Sequence, residues 1–99
     1  MAARIAIDKA RIGELCRRRH IRRLSLFGSV LRDDFGPESD VDVLVEFEPG
    51  HVPGLAFFEI EAELSELLGR KVDLNTPQFI GRYFRDQVLA EAEVQYVAA

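Results

Sequence analysis

The fold class predicted by the sequence is α+β, built as two layers of helix and sheet. Three observations predict it. Stretches with apolar residues at helical spacing alternate along the chain with short apolar runs bounded by turn residues, the pattern of helices and strands sharing one core. The 99 residues suffice for one core near the small end of what folds alone, and no linker, repeat or low-complexity stretch divides them, so one domain over 1–99 is expected. A composition 47% apolar and 30% charged, with 4 Pro and 7 Gly, is that of an ordered globular chain.

In order, Asp8 caps a first helix running to about Arg19, with Ile12, Leu15 and Cys16 at helical spacing and Ile5 and Ile7 leading in. Leu24 to Phe27 is a short strand, Gly28-Ser29 turns the chain, and Val30-Leu31-Arg32 starts a helical turn with Ser29 near its N-cap. Asp33 to Ser39 is loop by composition. Asp40 to Phe47 is a second strand and Glu48 to Gly54 a plain loop, in which His51 reads as a surface histidine without a ligand pattern around it. Leu55 to Leu68 is the clearest helix. Phe57, Ile60, Leu64, Leu67 and Leu68 form one face, Glu59, Glu63 and Glu66 the other, with Glu66 four residues before Arg70 and Gly69 as the stop. Lys71 to Asn75 is a third strand with Val72 and Leu74 on one face and Asp73 on the opposite one. Thr76-Pro77 starts a last helix to about Ala90, burying Ile80, Phe84 and Val88, and Glu93 to Val97 reads as a short closing strand.

Charge and cysteine content exclude several classes. The net charge of −4 divides into +5 over residues 1–36 and −9 over residues 37–99. A general nucleic-acid binder would be basic throughout, so nucleic acid is not the expected partner. A positive half facing an acidic site suits a small polyanion bound with cations. The basic run Arg17-Arg18-Arg19-His20 with Arg22-Arg23 suits the negative end of a helix dipole as a solvated face, or else meets phosphates or an acidic partner surface. The single cysteine, Cys16, excludes an internal disulfide and falls on the apolar stripe of the first helix. No apolar run approaches the roughly 20 residues of a membrane span, and the N-terminus is charged too early for a secretory signal. A cytosolic chain is expected.

The chemistry is concentrated between residues 24 and 46. Asp40 and Asp42 stand two apart at the start of an apolar strand, so both carboxylates project from one face about 6.6 Å apart at Cα. Charges beside a buried run need compensation. Hard cations such as Mg²⁺ supply it, since their ligands are oxygens. A two-metal site clamps the attacking and leaving oxygens of a phosphoryl displacement. Asp73, mid-strand and facing away from the core, is the candidate third carboxylate. Gly28-Ser29 suits phosphate binding, because glycine permits close backbone approach and serine offers a hydroxyl at a helix start. Arg32, one turn on, adds positive charge.

Phe27-Gly28-Ser29, the ten-residue gap, Asp40-Val41-Asp42 and the later Val72-Asp73-Leu74 together resemble the nucleotidyltransferase superfamily typified by the DNA polymerase beta palm. More narrowly, the chain resembles the minimal nucleotidyltransferases of prokaryotes, usually encoded beside a HEPN-domain protein. The likeness covers about residues 8 to 92. It implies a palm-like fold, a small mixed β-sheet with helices packed on one face. It implies Asp40 and Asp42 as ligands of two Mg²⁺ ions, and Asp73 as ligand of the catalytic ion and helper in deprotonating the acceptor hydroxyl. It implies Gly28 and Ser29 as holders of the terminal phosphates of ATP or another NTP. The implied reaction is attack of a hydroxyl on the α-phosphate with loss of pyrophosphate. The implied role is that of an antitoxin transferring AMP to a tyrosine of a HEPN toxin. Many minimal members place a glycine or small residue after the Ser-x-x-Arg step, where this chain has Asp33-Asp34-Phe35.

Such chemistry depends on holding the attacking oxygen in line. A palm of this size has no room for an acceptor domain, so the acceptor is expected on a second protein or a second copy. Two other readings stand beside this one: a binding module of the same fold that neutralises its partner by occlusion, and a small-molecule nucleotidyltransferase.

Overall fold

The computed structural model describes residues 5, 7–32, 35–51, 53–78 and 80–98. Helix α1 spans Lys9–Arg18, strand β1 Ile21–Phe27, β2 Val41–Phe47, helix α2 Ala56–Leu68, β3 Val72–Asn75, helix α3 Arg82–Glu91 and β4 Glu93–Val97, with a short 3₁₀ turn over Gly28–Leu31. The sheet is mixed, in the order β3-β2-β1-β4. Strand β1 pairs antiparallel with both β2 and β4, and β2 pairs parallel with β3. The α+β class with a mixed sheet is as expected, and so is the closing strand.

Local chemistry accounts for most boundaries. The Asp8 carboxylate accepts the Arg11 N–H at 3.2 Å at the start of α1. Gly69, at φ 68°, ends α2 in the left-handed conformation that favours glycine. Strand β1 begins at Ile21, three residues before the expected Leu24. Arg22 and Arg23 disguised its start: a register shift between Ile21 and Arg23 leaves both exposed, and both reach Glu46, at 3.0 and 3.4 Å.

The last helix departs from expectation. It begins at Arg82, not at Thr76-Pro77, because Gly81 adopts an extended ψ of 147° as its N-cap. The preceding residues form a separate turn in which the Ile80 N–H donates to the Thr76 carbonyl at 3.3 Å. With the helix displaced, Phe84 is 65% exposed rather than buried.

The register sorts the sheet into two faces. Leu24 faces Val45, Leu26 faces Val43, and Val41 and Val43 face Val72 and Leu74. These residues join Ile12, Leu15 and Cys16 of α1 and Ile60 and Leu64 of α2 in one core. Burial pushes the Cys16 thiol up to about 12, only slightly opposed by the Arg17 charge, so it acts as a core residue rather than a nucleophile. The other face carries Phe27, Asp42 and Asp73 in one cross-strand row, and Ser25, Leu44 and Asn75 in the next.

Strand β3 is an edge, and α2 closes it. The Val72 N–H donates to Ser65 Oγ at 3.0 Å and the Leu74 N–H to Glu61 Oε2 at 2.9 Å, which occupies donors that an open edge would present. Asp73 lies between these two tethers. Replacing Glu61 with Ala is expected to lower the unfolding free energy by about 1–2 kcal/mol, the cost of a lost partner for a partly buried donor. Urea unfolding measures that loss, and amide exchange at Leu74 should quicken with it.

Candidate active site

The predicted acids come together on the sheet face opposite the core. Asp42 and Asp73 are register partners on parallel strands, neighbours at about 4.8 Å. Asp40 precedes β2 by one residue instead of opening it, and its Oδ2 rests 4.0 Å from Lys71 Nζ. Burial raises the Asp42 carboxyl first, then the Asp73 charge and then the Asp40 charge. Arg32 works in the opposite direction, a hydrogen bond with Asp73 adds a smaller rise, and the result is about 6 against an ordinary 3.8. Asp42 is thus the acid whose ionisation the fold opposes most visibly.

Gly28 has two reasons to be glycine. Its φ is +74°, and a β-carbon there would run into Asp42 Oδ2 and come within 3.3 Å of Asp42 Cγ. The phosphate-turn candidate and the acid pair are therefore in contact. Ser29 lies within the 3₁₀ turn rather than at its N-cap, which is Phe27 with no side-chain capping bond.

A cavity of ≈450 Å³ opens over this face. Gly28, Arg32, Asp42 and Asp73 line it together with the apolar Ile80, Phe84 and Val88. Arg32 stands 3.8 Å from Glu91 of α3, which also lines it. Ser29 and Asp40 are not among its described lining residues. Asp33 and Asp34, the departure in the loop after Arg32, lie outside the described residues.

Two positioning residues were not anticipated. Arg70, expected to pair with Glu66 along α2, turns instead to the loop ahead of Asp40. Its Nη2 donates to the carbonyls of Gly36 at 2.6 Å and Ser39 at 3.0 Å, and its guanidinium lies 4.5 Å over the Phe35 ring. Glu61 was hidden among the acids of α2, although its place four residues after Phe57 and three before Leu64, on the apolar face of the helix, was a signal. The basic run is largely consumed within the chain: Arg18 and Arg19 bind Glu63, and Arg22 and Arg23 bind Glu46. Partial burial would raise Glu63, but the hydrogen bonds and charges of Arg18 and Arg19 hold its carboxyl below the ordinary range.

Residues 9–95 match the family described as Nucleotidyltransferase domain. The chain belongs to that family and is a nucleotidyltransferase. The protein adenylyltransferase MntA of Thermococcus cleftensis is 45% identical over 62 residues, which are 62% of this chain and 61% of that protein. A solved structure assigned as a minimal nucleotidyltransferase is 36% identical, with a TM-score of 0.72 over 85% of each chain. The solved complex of a tri-AMPylated Shewanella oneidensis HEPN toxin with its MNT antitoxin contains a chain matched at a TM-score of 0.65 and 22% identity, covering 91% of this chain and 70% of that one, a likeness of fold alone. Among the described residues no helix is long and apolar enough to cross a membrane.

Two outcomes follow from this geometry. A carboxyl raised to about 6 on folding binds its proton more tightly in the folded than in the unfolded chain, so its ionisation opposes folding. The metal-free protein should lose stability as pH rises from about 4 through 6. Asp42→Asn should add about 1–2 kcal/mol at neutral pH after allowance for solvent reach, measured by denaturant unfolding with a chelator present. Gly28→Ala should displace the Asp42 carboxylate and reduce nucleotidyl transfer by about a hundredfold, read from initial rates at saturating nucleotide.

Proposed function

We propose that this protein transfers AMP from ATP to a hydroxyl, a tyrosine of a partner HEPN toxin, in a Mg²⁺-dependent reaction, and so acts as that toxin's antitoxin. One observation carries the reading: Asp42 and Asp73 stand side by side on the face opposite the core, with Gly28 against Asp42. The adenylyltransferase name of its archaeal relative and the AMPylated toxin held by a protein of the same fold support the donor and the acceptor.

The residues fit the metal that this chemistry uses. Two adjacent carboxylates with a third nearby, one of them raised by burial and by its neighbours' charge, form an oxygen-only donor set short of positive charge, which suits Mg²⁺. Asp40, Asp42 and Asp73 would hold two such ions, which neutralise charge on the transferring phosphoryl group. The chain's own groups do the rest. The Gly28 turn lets the backbone approach the terminal phosphates, with Ser29 beside it, and Arg32 adds a guanidinium along the same wall. The apolar wall of Ile80, Phe84 and Val88 offers a surface for the base. Asp73, the more exposed of the adjacent acids, accepts the proton of the attacking hydroxyl. The hydroxyl oxygen bonds to the α-phosphorus, the bond to the bridging oxygen breaks, and pyrophosphate leaves.

The test is to incubate the protein with the product of its neighbouring gene, ATP and Mg²⁺, and to weigh that product intact. Addition of AMP to a tyrosine is expected, and Asp42→Asn should abolish it together with protection of the cell. If no nucleotide is transferred and Asp42→Asn protects as well as the parent chain, the protein neutralises its partner by occlusion.

A further inference from the structure

A second cluster of metal-ligating side chains lies at the far end of the β1–β2 ladder. His20 and His51 are remote in sequence, yet their rings stack with centroids 3.9 Å apart and planes within 11°. Glu48 joins them, its Oε2 3.9 Å from His20 Nδ1, and one ligand atom from each residue lies within 4.8 Å of the other two. Backbone bonds hold the three together: the Glu48 N–H donates to the His20 carbonyl at 2.9 Å and the His51 N–H to the Glu48 carbonyl at 3.0 Å.

The cluster is separate from the acid site. Ile21 pairs with Phe47 at one end of the ladder and Phe27 with Asp42 at the other, a run of about 20 Å at strand rise. His20 and Glu48 lie just beyond the Ile21–Phe47 end.

The backbone of His20 supplies an independent observation. Its φ is 59°, the one positive φ outside glycine among the described residues. It directly follows Arg19, the C-cap of α1, where glycine is the usual occupant because a β-carbon is strained there. A histidine at a position that favours glycine, with its ring stacked on His51, points to a task for its side chain.

We propose that His20, Glu48 and His51 form a second cation site, selective for Zn²⁺ and neighbouring transition metals over Mg²⁺, that clamps the loop after β2 onto the α1–β1 turn. Two imidazole nitrogens and one carboxylate oxygen are a Zn²⁺ donor set, whereas Mg²⁺ takes oxygen ligands. Three protein ligands leave the fourth tetrahedral position to water. With bonds near 2.0–2.1 Å the ligand atoms stand about 3.3 Å apart, so binding draws the three together by at most about 1.5 Å and turns one ring out of the stack. The side chains have room for this, His20 being 53% and Glu48 40% exposed. The arginines that line a pocket with His20 and His51 are engaged by other acids: Arg18 is bound to Glu63 at 2.8 Å, and Arg19 is bound to Glu63 and faces Glu59 at 3.8 Å.

The experiment uses the full chain without an affinity tag, in excess Mg²⁺, titrated with ZnCl₂ by calorimetry and with CoCl₂ by visible absorption. One Zn²⁺ per chain, a tetrahedral Co²⁺ spectrum and a Tm rise of several degrees on Zn²⁺ addition, reversed by chelator, are expected. His51→Gln and Glu48→Gln should each weaken Zn²⁺ binding at least tenfold. His20→Gly should abolish the Zn²⁺-dependent rise while raising the Tm of the metal-free chain, since it removes the strain, so the result does not depend on a variant that fails to fold. No Zn²⁺ uptake against Mg²⁺, or uptake that persists in His51→Gln and vanishes in Asp42→Asn, overturns the site. These readouts are independent of nucleotidyl transfer and leave the functional proposal untouched whichever way they fall.

Discussion

The carboxylate of Asp42 is the group around which the molecule is arranged. It is packed against the bare Cα of Gly28, set beside Asp73, and partly withdrawn from water, so that its proton is held to about 6. A charged group in that position costs folding free energy in the absence of a cation. The surrounding structure shows what keeps it there. Glu61 and Ser65 of α2 fasten β3 beside β2 and so keep Asp73 adjacent. Arg70 holds the loop that delivers Asp40 by two carbonyl contacts. Helix α2 thus works twice, packing Ile60 and Leu64 into the core while its polar groups steady the strand that carries the third acid.

The charge asymmetry of the sequence takes a different form once folded. Part of the basic first third is neutralised within the fold, because Glu63, Glu59 and Glu46 take up Arg18, Arg19, Arg22 and Arg23. Exposed pairs of this kind add little stability each. Arg32 is the cation whose charge reaches Asp42 over the cavity.

The β1–β2 ladder separates two donor chemistries. At its Phe27–Asp42 end the donor atoms are carboxylate oxygens alone; at its Ile21–Phe47 end they are two imidazoles and a carboxylate borne by a helix terminus and a loop. Hardness of the donor atoms distinguishes the cations each end can hold.

The sequence by itself determined the elements and the acids. Capping at Asp8, the left-handed stop at Gly69, the helical stripe of α2 and the two-residue period around Asp40, Asp42 and Asp73 are set within one turn or one strand, so they are legible locally. That Asp73 faces away from Val72 and Leu74 followed from the same alternation. Tertiary structure alone decided which long side chains meet. Arg70 left Glu66 for the loop carbonyls of Gly36 and Ser39, Phe84 came to the surface when Gly81 displaced the start of α3, and His51 found His20 across the β1–β2 end. Those partners depend on which elements fold side by side, and local periodicity does not encode adjacency.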